Sequence, residues 1–193
     1  MAFWPSFRTQ PTSAWASWLD VIQMLVVSLG LVLLVRTFLI HPFKVHGASM
    51  EPTFVEEDYL IVDEISFRFR EPKRGEVIVF RYPNNPRQSF IKRVIGLPGE
   101  TVEVSEGKVS VFTQSSPNGL VLTEGYIDDD LTQGQRKVTL KENEYFVLGD
   151  NRDESFDSRG FGPITADHIV GRVWFRGLPI SAISTFAPPS YSL

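Results

Sequence analysis

Three short segments carry side chains that can do chemistry, and the first is PFKVHGASMEPTF at 42–54. It places Ser49 directly after Gly47 and Ala48 and ahead of Pro52. Small neighbours let the backbone of another peptide approach a serine hydroxyl, and the backbone N–H of Ser49 can stabilise a negatively charged oxygen. The segment predicts a nucleophile, but a serine in a Gly-Ala-Ser sequence also fits an ordinary turn.

The second segment is FIKRVIGLPGE at 90–100, where Lys92 lies within an apolar strand pattern. A lysine accepts a proton from serine only when its amine is neutral, so its pKa must fall from about 10.4 toward the working pH. Burial among apolar neighbours lowers the pKa, and a shift of about 3 units costs roughly 4 kcal/mol. In the alternative interpretation, Lys92 and Arg93 alternate across the sheet and at least one is solvated.

The third segment is GDNRDESFDSRGFGP at 149–163, a strongly polar run between two β-type segments. Its density of Asp, Asn, Ser and Arg predicts a network of charge-assisted hydrogen bonds that fixes a loop near a site. A solvated acidic turn fits the same residues.

Other common chemistries do not match this chain. Glu51 stands where a nucleophile elbow needs its second glycine, and Thr165 stands where a dinucleotide fingerprint needs Gly or Ala. The three histidines, His41, His46 and His168, lack zinc-protease spacing, and the chain has no cysteine. A net charge of −4 gives no basic footprint for nucleic acid. We therefore expect no metal, no cofactor and no nucleic-acid partner.

The elements that must position these residues are strands. Short β-branched runs separated by Gly, Pro and Asn predict an all-β, mainly antiparallel catalytic domain over 41–193. The clearest runs are YLIVDEI, EVIVFRY, SFIKRVIGL, TVEVSEG, KVSVF, KVTL, EYFVLGD and HIVGRVWFRGL.

Ahead of them, residues 19–40 predict an N-terminal transmembrane helix, preceded by a leader at 1–18. These 22 residues would span roughly 33 Å as a helix, enough to cross a bilayer. Asp20, Gln23 and Arg36 lie near the ends, where charged side chains can reach the interface. The alternatives are a buried core helix and a cleaved signal peptide; the latter lacks a basic leader and a small-residue cleavage site. Charge does not give the orientation.

Taken together and in this order, the segments resemble the type I signal peptidase family. SMEPT, IKRVIGLPG and GDNRD-S-DSR-FG match its signature blocks, and the resemblance runs from about Arg36 to Pro179. It implies a Ser/Lys serine endopeptidase that removes signal peptides from exported preproteins, cutting after small residues at positions −3 and −1. Its partners would be preproteins and membrane lipid, with no obligate protein partner.

The resemblance also implies roles for single residues. Ser49 would be the nucleophile, with its backbone N–H as an oxyanion donor, and Lys92 the general base. Ser155 would help to orient the lysine, and Asp157 with Arg159 would form a supporting ion pair. The surrounding scaffold would include Asp150, Arg152 and Asp153. Adjacency to the dyad in sequence makes Phe43, Val45, Met50 and Ile91 candidates for the substrate pocket.

The chain departs from the family pattern in three places. Gly47 stands where many members have a serine that donates to the oxyanion, so the hole would depend more on backbone N–H groups. Glu154 stands where Asn is frequent, between retained neighbours. The single apolar segment differs from members with two anchors.

The expected location is a single-pass protein of the bacterial cytoplasmic membrane, with the catalytic domain on the extracytoplasmic side. A thylakoid or organelle inner membrane also fits. A self-cleaving repressor-type Ser/Lys protease is a rival, but it would carry a DNA-binding module where this chain has an apolar span. A non-catalytic membrane scaffold is another, against which the presence of both Ser49 and Lys92 argues.

Overall fold

The structure is a computed structural model that describes residues 14–38, 41–127, 131–189 and 191. The chain divides into two compact units, Met1–Leu39 and Ile40–Leu193. Most of the predicted leader, residues 1–13, lies outside the described residues, as do residues 39 and 40 of the predicted anchor.

The first unit contains helix α1, Ala14–Phe38. Its 25 residues contain no proline and are rich in Leu and Val, so no proline interrupts the backbone hydrogen bonding. Apolar residues occur all round the helix rather than along one stripe. The large apolar side chains from Trp18 to Leu33 are exposed. Across the residues that the structure describes, no helix is both long enough and apolar enough to cross a membrane.

The second unit is built from strands, and every strand pairing in it is antiparallel among the described residues. The prediction of a mainly antiparallel β domain is therefore confirmed. The strands are β1 His41–Lys44, β2 Tyr59–Asp63, β3 Val77–Tyr82, β4 Asn85–Gly96, β5 Thr101–Ser105, β6 Lys108–Phe112, β7 Leu120–Val121, β8 Arg136–Thr139, β9 Glu144–Leu148, β10 Ile164–Thr165, β11 Ile169–Leu178 and β12 Ser184–Thr185. One short helix, α2, covers Ser158–Phe161, and single 3₁₀ turns cover Ser66–Arg68, Ala166–His168 and Ile180–Ala182.

Within the described residues the strands form two sheets. The larger has eight strands in the order β1-β2-β11-β3-β4-β9-β10, with β12 pairing to β11, and the smaller has the order β7-β6-β5-β8. Strand β4 lies inside the larger sheet, where Lys92 pairs with Ile78 of β3 and Arg93 pairs with Leu148 of β9. Residues 91–96 of this strand are buried.

Three apolar clusters fill the second unit. The first includes Met50 and Phe54, which follow β1, together with Ile91 of β4. The third contains Val94 of β4, with Phe90 packed against it. Because successive strand residues point to opposite faces, β4 contributes to the apolar packing on both faces of the sheet. The residues around Lys92 are thus held between two packed layers.

Gly171 shows how closely the strands approach. A Cβ atom built there would lie 2.6 Å from the carbonyl oxygen of Asp63 and 2.8 Å from Cγ1 of Val62. We predict that Gly171→Ala lowers the free energy of unfolding by about 1–3 kcal/mol, because β2 and β11 must separate. Chemical denaturation of the full chain in detergent measures the change.

The matched control is Gly125→Ala, since a Cβ there meets no heavy atom within 4 Å. Equal stability of the two variants would contradict the close packing of β2 against β11.

Candidate active site

Ser49 lies in a tight turn after β1. Within the turn the N–H of Glu51 donates to the carbonyl of Ala48 at 3.0 Å, and the N–H of Phe54 donates to that of Met50 at 2.8 Å. Gly47 has φ +83°, a left-handed conformation that favours glycine. Met50 and Phe54 are fully buried. The apolar core therefore fixes the turn while Ser49 itself remains partly exposed.

The amine of Lys92 reaches this turn from β4. Its Nζ donates to Oγ of Ser49 at 2.7 Å and to the carbonyl of Ile91 at 2.9 Å. Lys92 is only 3% exposed, and the centre of the Phe90 ring lies 5.7 Å from its Nζ. The structure thus brings the predicted nucleophile and the predicted base into direct contact.

Burial lowers the pKa of Lys92 from 10.5 to about 8. The carboxylates of Asp157 and then Asp150 act in the opposite direction, because a nearby negative charge favours the ammonium form. Burial therefore outweighs the two carboxylates. An amine with this pKa can exchange protons near neutral pH.

Asp150 connects the turn of Ser49 to the strand of Lys92. The Arg93 guanidinium donates to both carboxylate oxygens, at 2.8 Å from Nε and 2.5 Å from Nη2. Thr53 Oγ1 donates to the same carboxylate at 2.6 Å. Arg93 and Asp150 are both buried. Since Thr53 lies four residues after Ser49 and Arg93 directly follows Lys92, this ion pair constrains the distance between the two functional groups.

Asp157 organises the 149–163 segment. Its carboxylate accepts from Arg159 Nε at 2.9 Å and Nη2 at 2.8 Å, and from the N–H of Gly149 at 3.1 Å. The next residue, Ser158, accepts from the N–H of Val147 in β9 at 3.0 Å. The predicted Asp157–Arg159 contact is therefore present, and it fastens the loop to the end of β9.

Arg152 forms a second buried pair, with Glu124. Its two terminal nitrogens donate to the Glu124 carboxylate at 2.7 and 2.6 Å, and Nε donates to the carbonyl of Gly149 at 3.0 Å. Thr132 Oγ1 accepts a further hydrogen bond from this guanidinium. Arg152 therefore ties the loop that precedes β8 to the end of β9.

Two of the predicted site residues make no such contact. Among the described residues, Oγ of Ser155 is buried and has no hydrogen-bond partner. It lies close to Gly149, where a Cβ atom would be 2.2 Å from it and 2.4 Å from the carbonyl oxygen of Ser49. Asp153 is exposed. The role of Ser155 in orienting Lys92 thus stays a prediction.

The four pocket candidates lie together near the dyad. Val45, Met50 and Ile91 are buried members of the first apolar cluster, and Phe43 packs against it while remaining partly exposed. Their role toward a substrate stays a prediction. In the part of the chain that the structure describes, no group of three or more His, Asp and Glu side chains is arranged to hold a metal ion.

Sequence reasoning missed several residues of the network. Arg93 was noticed only as a neighbour of Lys92, yet both are buried and neither is solvated. Thr53 belongs to the SMEPT block, but no role was expected for it. Glu124 and Tyr126 lie in a stretch without any recognisable motif. Only their partners, which are distant in sequence, give them a place in the site.

The buried amine makes a prediction for stability. Because the folded state lowers the pKa of Lys92, the protonated amine destabilises the fold below about pH 8, and this penalty disappears as pH rises toward 10.5. We predict that Lys92→Met raises the free energy of unfolding by on the order of 1–3 kcal/mol at pH 7, with a smaller gain above pH 8. Denaturation curves of the full chain at pH 7 and pH 9.5 measure both values.

Lys137→Met serves as the control, since the Lys137 side chain is 57% exposed and its ion pair with Glu103 has an N–O distance of 3.4 Å. It should change the stability little at either pH. If Lys92→Met is less stable than the parent at pH 7, the buried protonated amine does not destabilise the fold as predicted.

Comparison with known proteins assigns the chain to a family. A sequence model of the family described as signal peptidase, peptidase S26, matches residues 18–178. A probable signal peptidase I-2 of Synechocystis sp. is 37% identical over 172 residues, covering 86% of this chain and 76% of the relative. A signal peptidase I of Leptolyngbya laminosa is 38% identical over 180 residues, with coverage of 89% and 85%. The thylakoidal processing peptidase 1 of Arabidopsis thaliana is 33% identical over 162 residues, covering 79% of this chain and 46% of the relative.

The family-model match extends over both the Ser49 turn and the polar loop, and it agrees with the resemblance carried by the three sequence blocks. The chain therefore belongs to the signal peptidase family S26 as a type I signal peptidase, a hydrolase of the serine endopeptidase class that removes signal peptides from preproteins.

Proposed function

We propose that the chain cuts exported preproteins with a Ser49/Lys92 dyad, after small residues at positions −3 and −1. The observation that carries the proposal is the 2.7 Å contact between Lys92 Nζ and Ser49 Oγ, made by an amine that is almost fully buried. A buried amine with a pKa near 8 is neutral often enough to accept the proton of a serine hydroxyl.

Acylation begins when the neutral Lys92 takes the hydroxyl proton of Ser49. The serine oxygen then attacks the carbonyl carbon of the scissile bond, and the resulting oxyanion accepts hydrogen bonds from backbone N–H groups, including that of Ser49. Collapse of this intermediate breaks the C–N bond, and the Lys92 ammonium gives its proton to the leaving amine. The mature protein departs, and the signal peptide remains as an ester on Ser49.

Deacylation repeats the proton transfers with water. Lys92, neutral again, takes a proton from a water molecule, which attacks the ester carbon. The second tetrahedral intermediate expels the Ser49 oxygen, and Lys92 returns the proton to it. The signal peptide is released as a carboxylic acid, which loses its remaining proton to solvent. No histidine is needed, because a single amine serves both half-reactions.

Selectivity for small side chains follows from the packing beside the dyad. Val45, Met50 and Ile91 are at most 4% exposed, and they belong to a close-packed cluster. Close-packed side chains of this kind cannot move aside for a large substrate side chain, which would therefore be excluded by steric overlap. Phe43, the partly exposed member, would border the subsite.

We further propose that residues 19–40, which include residues 39 and 40 outside the described part of the chain, anchor the protein in a membrane as a single-pass segment with membrane lipid as a partner. Residues 19–40 are apolar over most of their length, and the large apolar side chains from Trp18 to Leu33 are exposed. The catalytic unit would lie on the extracytoplasmic side of a bacterial cytoplasmic membrane, or the equivalent side of a thylakoid or organelle inner membrane. An anchored enzyme meets an anchored preprotein in two dimensions, which raises their effective concentration.

The dyad is tested with a labelled preprotein that carries an Ala-x-Ala site. We predict that the full chain in detergent cuts at this site and that Ser49→Ala and Lys92→Ala each lower kcat/KM by at least about a thousandfold. For the parent chain, kcat/KM should fall roughly tenfold per pH unit below about pH 8, because protonated Lys92 cannot act as a base.

Lys44→Ala is the control, because the Lys44 side chain is a surface group that pairs with Glu57 at 2.7 Å. It should leave the pH profile unchanged. Equal cutting by Lys92→Ala and the parent would remove the lysine from the mechanism, and absence of cutting by every form would favour the non-catalytic scaffold.

The anchor is tested by alkaline extraction of membranes that contain the full chain. We predict that the parent stays in the membrane pellet and that the double variant Val27→Asp, Leu31→Asp is released, since each central aspartate disfavours insertion by about 3 kcal/mol. Val121→Asp, on an exposed strand position, is the control and should pellet like the parent. Release of the parent itself would exclude the anchor.

A further inference from the structure

Tyr126 lies against the guanidinium of Arg93. The centre of its ring is 3.9 Å from the guanidinium carbon, the shortest of the cation–π contacts among the described residues. The ring therefore packs on the cation that holds Asp150 and, through Asp150, the turn of Ser49. Such a contact is strongest when the cation is shielded from water, and Arg93 is 5% exposed.

The hydroxyl of Tyr126 joins the second buried ion pair. It donates to Glu124 Oε1, and Glu124 is held by both terminal nitrogens of Arg152. It also accepts from the hydroxyl of Tyr191 at 3.0 Å. One side chain therefore contacts both buried pairs, with its ring on Arg93 and its hydroxyl on Glu124.

Phe186, Pro189 and Tyr191 cover this arrangement from one side. Phe186 packs on Phe54, with ring centres 4.5 Å apart. Pro189 and the Tyr191 ring lie over Gly75, where a Cβ atom would be 2.7 Å from Pro189 Cδ and 3.0 Å from Tyr191 Cε2. The Gly75 carbonyl in turn accepts from Nη1 of Arg93 at 2.8 Å. These side chains thus exclude water from the Arg93 guanidinium of the Arg93–Asp150 ion pair.

We propose that Tyr126 is a positioning residue for the Ser49/Lys92 dyad, that it acts through Arg93 and Asp150, and that Tyr191 holds it in place. The inference rests on the proposed function of the dyad. Tyr126 orients the Arg93 guanidinium, which fixes the Asp150 carboxylate. That carboxylate then holds Thr53 and sets the position of the Ser49 hydroxyl relative to the amine.

The charges around the dyad determine the direction in which loss of the Tyr126 ring shifts the pKa of Lys92. Lys92 is faced by Asp157 and Asp150, and Arg93 by Asp150, Tyr126 and Tyr191. Losing the ring lets water reach Arg93 and loosens its hold on Asp150, so the charge of Asp150 is less well neutralised. A less neutralised carboxylate near the amine raises the pKa of Lys92. Burial raises the pKa values of Tyr126 and Tyr191, so neither phenol ionises in the working range.

The experiment measures kcat, KM and the pH profile for the full chain in detergent, with the Ala-x-Ala preprotein. We expect Tyr126→Leu to lower kcat at pH 7 by roughly threefold to tenfold with little change in KM, and to move the acidic limb of kcat/KM upward by about 0.5–1 pH unit. Tyr126→Phe keeps the ring and should restore most of kcat and the position of the limb. Tyr191→Leu, which leaves Tyr126 intact, should move the limb in the same direction by a smaller amount.

The matched control is Phe112→Leu, which removes the ring under Lys137, a cation–π contact at 4.5 Å in the smaller sheet. It should leave the limb where the parent has it. An unchanged limb in both Tyr126→Leu and Tyr191→Leu would overturn the inference, as would failure of Tyr126→Phe to recover what the leucine variant loses. If Lys92→Ala cuts as well as the parent, the dyad itself is wrong and the inference falls with it. Loss of activity in Lys92→Ala with an unshifted limb in the tyrosine variants rejects the positioning role alone.

Discussion

The burial of the Lys92 amine is the constraint on which the rest of the structure depends. An amine left in water would stay protonated at neutral pH, whereas removal from water lowers its pKa to about 8. That burial requires a central strand, packed layers on both faces and a turn that brings Ser49 across 43 residues of sequence. The arrangement destabilises the fold at neutral pH, and the apolar clusters must offset this cost.

Three arginine–carboxylate contacts then hold the loops around the amine: Arg93–Asp150, Arg152–Glu124 and Arg159–Asp157. A buried ion pair contributes little net stability, because desolvation cancels most of the attraction. Losing one partner strongly destabilises the fold, however, since the other charge is then buried without a counter-charge. Such pairs therefore serve mainly to destabilise conformations in which the loops around Lys92 are displaced. Each guanidinium also donates to a backbone carbonyl: Arg93 to Gly75, Arg152 to Gly149, and Arg159 to both Arg152 and Gln133. The planar guanidinium can make all these bonds at once, and an ammonium cannot.

The sequence predicts those features of the structure that depend on neighbouring residues, and it does not predict contacts between residues that are distant in the chain. Alternating β-branched residues predicted the strands, since side-chain period is a local property, and β4 runs through the segment that carries Lys92. The sequence blocks identified the 149–163 segment as part of a network. They did not identify Glu124 or Tyr126, whose partners include Arg152, 28 residues from Glu124, and Tyr191, 65 residues from Tyr126. Nothing in the neighbourhood of such a residue marks it, because only the fold creates the contact. The same holds for Arg93, whose alternation with Lys92 resembled that of a half-solvated strand.

The acidic residues of 149–157 lie near Lys92, and arginines offset the charges of two of them. Asp150 and Asp157 both raise the pKa of Lys92, so two free carboxylates at these positions would keep the amine protonated. Each is instead engaged by an arginine, which remains charged at every pH that a protein encounters. The arginines offset the two negative charges while leaving the carboxylates to bind the Thr53 hydroxyl and the Gly149 N–H. Burial can then dominate the proton affinity of Lys92. A loop that reads as acidic in sequence therefore surrounds a base whose pKa is lowered rather than raised.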